Sequence, residues 1–459
     1  MNRSERRNVE YKASGVREKK GKNSVGFLGP VFWVVILLGI MILVHELGHF
    51  WAALSVGIKV ETFSIGFGPR LFGFKRRDTD FRVSAIPFGG YVRMLGEQPG
   101  DEVSTDPRSF QAKARWQRAI VIIAGPLMNV LLAVTLVTGL YMYGFPKEVP
   151  TGNAVISSIQ PGSPAAQAGL EQGDRIVQIG HIHNPSWQDV LTQEALNANH
   201  RLPVVLNRRG QEISVKVTPR MDPKEGVGIA GWRGDVQIGE VLKGWPGQAA
   251  GLQSGDLLVS INGQPIESAL TVQKVIINSG GKPVTFELLR NGQLKKLSVT
   301  PVATNLAQMP WRIGVNFRMP IQMVKLPFIP AVMESLRFNR QNATMIFQVL
   351  GSIVERRMSP KTLAGPIGIA QMSNQAAEEG PSSFLGLMAI VSLNLAIFNL
   401  LPIPILDGGT LLLLIVEMLL QREVSMQVKE TVFKLGFVFL MMVVVFVIYN
   451  DVSRILTRS

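Results

Sequence analysis

A chain of 459 residues exceeds one ordinary core, and its positive mean hydropathy, with 46% apolar residues, points first to a membrane. A net charge of +14 would suit nucleic acid, but much of it lies beside long apolar runs, where basic residues retained in the cytoplasm or facing anionic lipid are expected, so nucleic acid is set aside as a partner. Without cysteine there is no disulfide framework and no thiolate zinc site, which leaves His, Asp and Glu to hold any metal.

Taken in chain order, residues 1–24 carry eight Lys or Arg against three acids and no periodic apolar face, which predicts a disordered basic tail. Val31 to Ile58 is the first of four runs near the ~20 residues that a helical span needs, the others being Ala119 to Gly144, Phe384 to Leu406 and Thr431 to Tyr449. A signal peptide is the other reading of the first run, but no small-residue cleavage site interrupts it. Between the first two runs, Glu61 to Gly96 alternates apolar and polar residues around glycines, as strands and a hairpin do.

Residues 151 to about 301 contain a repeat. Gly169, Leu170, Gly173 and Asp174 return 82 positions later as Gly251, Leu252, Gly255 and Asp256, and each copy closes on a β-hairpin turning at Gly210 or Gly292. Two homologous β-rich domains are therefore expected. Pro330 to Arg357 has helical apolar spacing mixed with charge, and reads as an amphipathic helix on the membrane or against a domain.

The chemistry concentrates in the first span, at His45-Glu46-Leu47-Gly48-His49. Residues four apart share a helix face, so both imidazoles can meet one Zn²⁺ while Glu46 reaches a water beside it. With five His in the chain, the motif is expected by chance about 0.002 times. Two imidazoles and a carboxylate buried in lipid cost several kcal/mol unless a partner satisfies them, and a metal is such a partner. A polar cluster that glues helices or conducts protons is the alternative, but it needs no Glu at that position. A catalytic zinc needs a third protein ligand. Asp407, in "NLLPIPILDGG", is the candidate: it ends the third run, where Pro402 and Pro404 remove donors and Gly408 and Gly409 permit tight turns, so the helix should break at the carboxylate. An acid in that position is also the ordinary mark of a helix end at the interface.

The His45 to His49 motif, Gly125-Pro126-Leu127-Met128-Asn129 in the second run and Asn399 to Gly408 in the third, in that order, resemble the site-2 protease family of intramembrane metalloproteases. The double repeat resembles the tandem PDZ domains of a bacterial branch of that family, as does "AGPIGIA" from Ala364. The resemblance implies that His45, His49 and Asp407 bind zinc and that Glu46 is the general base. Asn394 and Asn399 resemble the family's polar residues near the site, where they would hold substrate backbone or steady an oxyanion; an interhelical hydrogen bond is the other role open to them. The strand region resembles the family's membrane-associated β-hairpin, whose edge would pair with an extended substrate unless it is only structural. The PDZ pair would capture extended segments or peptide C-termini, with Gly226 to Ile229 as a donor loop of the second copy, or would exclude bulky proteins by size.

The expected fold is thus an α-helical polytopic membrane protein with about four transmembrane helices, a metalloprotease core with its β-hairpin, and two inserted β-rich PDZ domains. The expected divisions are the tail (1–24), the first half of the core (25–150), PDZ domains at 151–222 and 223–303, an amphipathic region (304–380) and the second half of the core (381–459). The implied setting is a bacterial inner membrane, multi-pass, with the PDZ pair outside the cytoplasm. The basic loop between the first two spans agrees with that orientation. The basic tail disagrees, and since family members usually begin close to the first span, the true start would lie downstream of Met1. Implied substrates are single-span membrane proteins, an anti-sigma factor above all, with signal peptide remnants as further candidates. A membrane-tethered PDZ scaffold and a metal transporter are the rivals, and neither explains both the Glu spacing and the repeat.

Overall fold

The computed structural model describes residues 25–97, 106–148, 154–156, 158–223, 225–234, 236–266, 269–290, 293–304, 310–318 and 321–458. The expected basic tail and the turn at Gly292 lie outside them. The helices, in chain order, are α1 (Val25–Ser55), α2 (Arg115–Tyr143), α3 (Pro164–Gln167), α4 (Trp187–Leu196), α5 (Pro246–Ala249), α6 (Ala269–Asn278), α7 (Phe328–Val354), α8 (Pro366–Glu379), α9 (Pro381–Leu400), α10 (Asp407–Leu420) and α11 (Met426–Arg458). Four stretches within them, Gly29–Ser55, Arg115–Tyr143, Pro381–Leu400 and Met426–Ser453, are long and apolar enough to cross a membrane.

α2 is the central post. Leu37 and Met41 of α1 pack with its Leu132 and Leu136, while Ala133, Val137 and Tyr141 meet Ala389 and Leu393 of α9. α7, read from its amphipathic pattern as lying on the membrane or against a domain, touches α4 of the first β-rich domain. It also joins the bundle, placing Ala331 and Phe338 in the α2–α9 core and donating from Ser335 Oγ to the Val134 carbonyl at 2.8 Å. Part of its apolar surface is used for this packing, while Phe328, Ile329, Met333 and Phe347 stay exposed.

β1 (Val60–Arg76) and β2 (Thr79–Met94) make more than a hairpin. Residues 62–65 pair with 90–93 on one side and with 80–83 on the other, while 70–76 pair back on 79–84. The product is a four-segment mixed sheet in the order 70–76, 79–84, 62–65, 90–94, in which 62–65 and 80–83 run parallel and the other neighbours run antiparallel. Its last segment runs beside α1, where the Gly90 backbone approaches Ile42 and Glu46.

The two copies of the repeat each build a sheet. The first joins Ala154–Val155, Arg175–Ile179, Leu202–Arg208 and Gln211–Val217 in that spatial order; the second joins Gln293–Val299, Val284–Arg290, Leu257–Ile261, Val236–Val241 and Val315–Arg318. Both fasten the turn after the repeated Gly-Leu with one buried carboxylate: Arg208 Nε donates to Asp174 Oδ1 at 2.7 Å, and Arg290 Nε to Asp256 Oδ1 at 2.6 Å. That buried pairing is why the glycine–aspartate signature recurs in both copies.

The expected boundary between 222 and 223 cuts through the first domain. Trp232 is wholly buried in that domain's core and pairs with Ile159. Gly226 to Ile229 likewise belongs to the first copy, since Gly228–Ile229 pairs with Arg220–Met221. In the same way Ile313, Val315 and Phe317 complete the second core, beyond the expected end at 303. Each copy therefore draws its closing strand from downstream, a long-range pairing that the repeat alone does not announce. The closing segments differ in one respect. In the first domain Glu194 of α4 is buried and accepts hydrogen bonds from the Ala230 amide and, at 2.9 Å, from Trp232 Nε1. Burial pushes its carboxyl above the ordinary range, and those donors oppose the shift. The residue 82 positions on is Ile276, in the second core.

"AGPIGIA" turns out to be the start of α8. The amides of Gly365, Ile367 and Gly368 donate to the Asp451 carboxylate of α11 at 3.0, 3.0 and 3.1 Å. A carboxylate at a helix N-terminus satisfies orphan amides and the helix dipole together. At its other end α11 is tied by Lys429 Nζ to the buried Glu417 of α10 at 2.7 Å.

Replacing Trp232 with Ala removes a large buried side chain and should destabilise the first domain by about 3–5 kcal/mol. Hydrogen exchange on the full chain should show amides of 154–217 losing protection while those of 236–318 keep theirs. The reverse pattern would return Trp232 to the second domain.

Candidate metal centre

α1 presents His45 and His49 one turn apart towards α2, and the two helices come close because glycines stand at the contact. A Cβ at Gly48 would collide with the Ala124 carbonyl, and one at Gly125 would collide with the His49 ring. His49 Nδ1 donates to the Val121 carbonyl at 2.8 Å, which leaves Nε2 with its lone pair free. His45 Nδ1 faces the side-chain amide of the fully buried Asn129 at 3.4 Å. The Asn129 Oδ1 has no hydrogen-bond partner, and turning the amide over places that oxygen to accept from Nδ1–H. In that orientation both rings offer Nε2.

Asp407 comes from the far end of the chain. It was expected to end the third span at a break in the helix. Instead α9 stops at Leu400, the break is the prolyl segment Leu401 to Leu406, and Asp407 is the first residue of the 14-residue α10. The two prolines end α9, while Gly408 and Gly409 let α10 fold back against the carbonyls of Leu400, Leu401 and Ile403, where any Cβ would collide. This turns the carboxylate inward: Asp407 Oδ2 lies 3.2 Å from His45 Nε2 and 3.6 Å from His49 Nε2, and the two ring nitrogens are 3.1 Å apart.

These distances test the fit of a metal. Ligand bonds of 2.0–2.1 Å arranged tetrahedrally place donor atoms roughly 3.3 Å apart. The three atoms found here bracket that value, and Asp407 Oδ2 is a buried acceptor with no hydrogen-bond donor. The donor set, two imidazoles and a carboxylate, is that of a catalytic zinc with a position left open. Glu46 shares the same cavity of about 640 Å³ with the three ligands. Tyr91 and Val92 of the sheet edge, Ile405 and Phe433 also line it, and the Val92 amide reaches the Glu46 carboxylate.

Of the two asparagines singled out in the sequence, Asn399 reaches the site, its Nδ2 lying 3.5 Å from His45 Nε2. Asn394 lies more than a turn earlier on α9 with its Oδ1 buried and without a hydrogen bond, and neither asparagine is among the residues lining the cavity. The reading of the sequence assigned no role to Asn129 or Gly125. Their signal was present in "GPLMN": a polar residue within an apolar span, four positions after a glycine, marks the face of a helix that meets a functional neighbour.

The sequence profile of peptidase family M50 matches residues 33–443. The chain belongs to that family. Among M50 relatives, the regulator of sigma-E protease RseP of Salmonella typhimurium is 32% identical over 457 residues, covering 92% of this chain and 98% of its own length. The regulator of sigma E protease of Haemophilus influenzae is 31% identical, covering 94% of this chain and 100% of its own. A relative from Ralstonia nicotianae, 31% identical over 92% of this chain and 97% of its own, carries zinc metalloprotease in its name. A solved PDZ domain of a Listeria monocytogenes protein aligns with 18% of this chain and 85% of its own, at 20% identity and a TM-score of 0.17. As an M50 protein with apolar helices of spanning length, the chain is a membrane-embedded zinc metallopeptidase, as the motifs implied.

Gly125→Ala should displace the His49 ring and reduce zinc bound to the purified protein by an order of magnitude, as read by elemental analysis at fixed free zinc. Gly139→Ala, on the same helix with nothing within 4 Å of the added methyl, is the matched control and should leave the content unchanged.

Proposed function

We propose that the chain is an intramembrane endopeptidase whose zinc is held by His45, His49 and Asp407 and whose general base is Glu46. The reading rests on one observation, that three mutually close acceptors and the Glu46 carboxylate line a single cavity among apolar helices. Zinc at this position supplies Lewis acidity, making water acidic near neutral pH and polarising a peptide carbonyl. Glu46 takes the proton of the attacking water and returns it to the departing amide nitrogen. Asn399, beside His45, would steady substrate or the developing oxyanion, and Asn394 would hold substrate backbone.

A transmembrane segment must unwind before its carbonyls become reachable, since a helix keeps its backbone groups paired in lipid. The segment 90–94 receives it: as the terminal strand of the sheet beside Glu46, it offers backbone pairing to an extended chain without reading sequence. Substrates are single-span membrane proteins. Likeness to the regulator of sigma E proteases points to an anti-sigma factor of an envelope stress response, already trimmed outside the membrane, with signal peptide remnants as a second pool. The two β-rich domains are PDZ domains on the extracytoplasmic side of a bacterial inner membrane, an orientation that leaves the Arg- and Lys-rich segment between α1 and α2 inside.

Purified protein incubated with a model single-span substrate should cleave it, and a zinc chelator should abolish cleavage. Glu46→Gln should lower the rate by at least about 10²-fold while zinc content stays at one equivalent. Undiminished cleavage by this variant would refute the assignment of the base. Absence of hydrolysis by wild type, with zinc moving across reconstituted vesicles, would favour a transporter.

A further inference from the structure

A second cavity, of about 430 Å³, lies at the end of α1 and shares no lining residue with the zinc cavity. Its floor is apolar, made by Phe50 and Leu54 of the last turns of α1 and by Phe81. Its rim is cationic, carrying Lys59, Arg76, Arg77 and Arg108 against the single carboxylate of Asp78. Lys113 adds a fifth positive charge, its Nζ 3.4 Å from where a Cβ on Gly57 would stand. Arg108 is committed to Asp106 at 2.9 Å and to Asp78 at 3.3 Å, and Lys59 interacts with Asp106 through space. Arg76 and Arg77 are exposed and make no ion pair among the described residues.

Two further observations make this more than a solvated basic surface. The cavity lies where two apolar helices of spanning length end: α1 ends at Ser55, α2 begins at Arg115, and the Lys59 amide ties the two approaches together by donating to the Arg108 carbonyl at 3.0 Å. Trp51, half exposed one turn before the end of α1, is the residue type that sits at a membrane–water boundary. In addition, Arg77 holds a φ of +52° in the tight turn between β1 and β2, a position that favours glycine.

We propose that this cavity binds the phosphate headgroup of an anionic phospholipid, with Arg76, Arg77 and Lys59 on the phosphate and an acyl chain along Phe50 and Leu54. Guanidinium groups pair with phosphate oxygens two at a time, and basic pockets beside transmembrane helices at headgroup level select anionic lipids. A neutral headgroup would leave the rim charges facing one another, and a free anion would leave the apolar floor unfilled.

The test uses the full chain in a nonionic detergent, with phosphatidylglycerol or phosphatidylcholine added at equal mole fraction and retained lipid counted by native mass spectrometry. Wild type should retain phosphatidylglycerol in preference. The double variant Arg76→Ala/Arg77→Gly should retain roughly tenfold less or lower. Because glycine suits the turn at 77, this variant should fold as well as wild type, and Lys59→Gln provides a second, independent reduction. The control Arg209→Gly/Lys216→Ala removes the same charge from exposed positions of the first β-rich domain, again with one residue at a positive φ, and should retain lipid as wild type does. Equal retention of the two lipids, or equal retention by Arg76→Ala/Arg77→Gly and its control, would overturn the proposal. Complete displacement of phosphatidylglycerol by millimolar inorganic phosphate would also overturn it, showing an anion site indifferent to lipid.

Discussion

Three acceptor atoms from two parts of the chain, more than 350 residues apart, are held within 3.6 Å of one another among apolar helices. Lone pairs facing lone pairs in a medium of low polarity repel, and burial without partners adds several kcal/mol to that cost. A divalent cation reverses the sign of the whole arrangement. The packing around the site serves this convergence: glycines at the α1–α2 contact, a carbonyl that orients one ring, and a prolyl break that turns an acid inward at the start of a new helix.

The surroundings divide the work. α2 is packed on both sides and fixes the imidazole pair, whereas α11, which brings Phe433 to the cavity wall, has only 6% of its most apolar window buried. α11 is held at its ends, by Glu417 and by the capping carboxylate of Asp451, and at Gly436, which abuts Pro404 of the prolyl break. Of the four spans it is the one least covered by the other described elements. The carboxylate at the start of α8 thus does for α11 what extensive packing does for α2.

Much of this was legible in the sequence, because the chemistry lies in short motifs. His45, Glu46 and His49 depend only on helical periodicity, and the four apolar runs matched the spanning helices to within a few residues. Asp407 was found from its neighbours, yet its place in the fold was not: proline and glycine announce a break without saying on which side of it the acid will stand. The domain limits failed for a related reason. Trp232 and Val315 close sheets begun some 75 residues earlier, and such pairings leave no local trace. Nor did anything near Asn129 state that its amide would meet a ring 84 residues away.

The Glu194 bridge bears on how the duplicated modules differ. The Ala230 amide is already taken by a carboxylate of its own module, which the chain keeps there at an effective concentration in the millimolar range or above. The other module carries isoleucine at the equivalent place, inside its core. Duplication therefore left two scaffolds of one design but unlike fastenings, a distinction made by a single side chain.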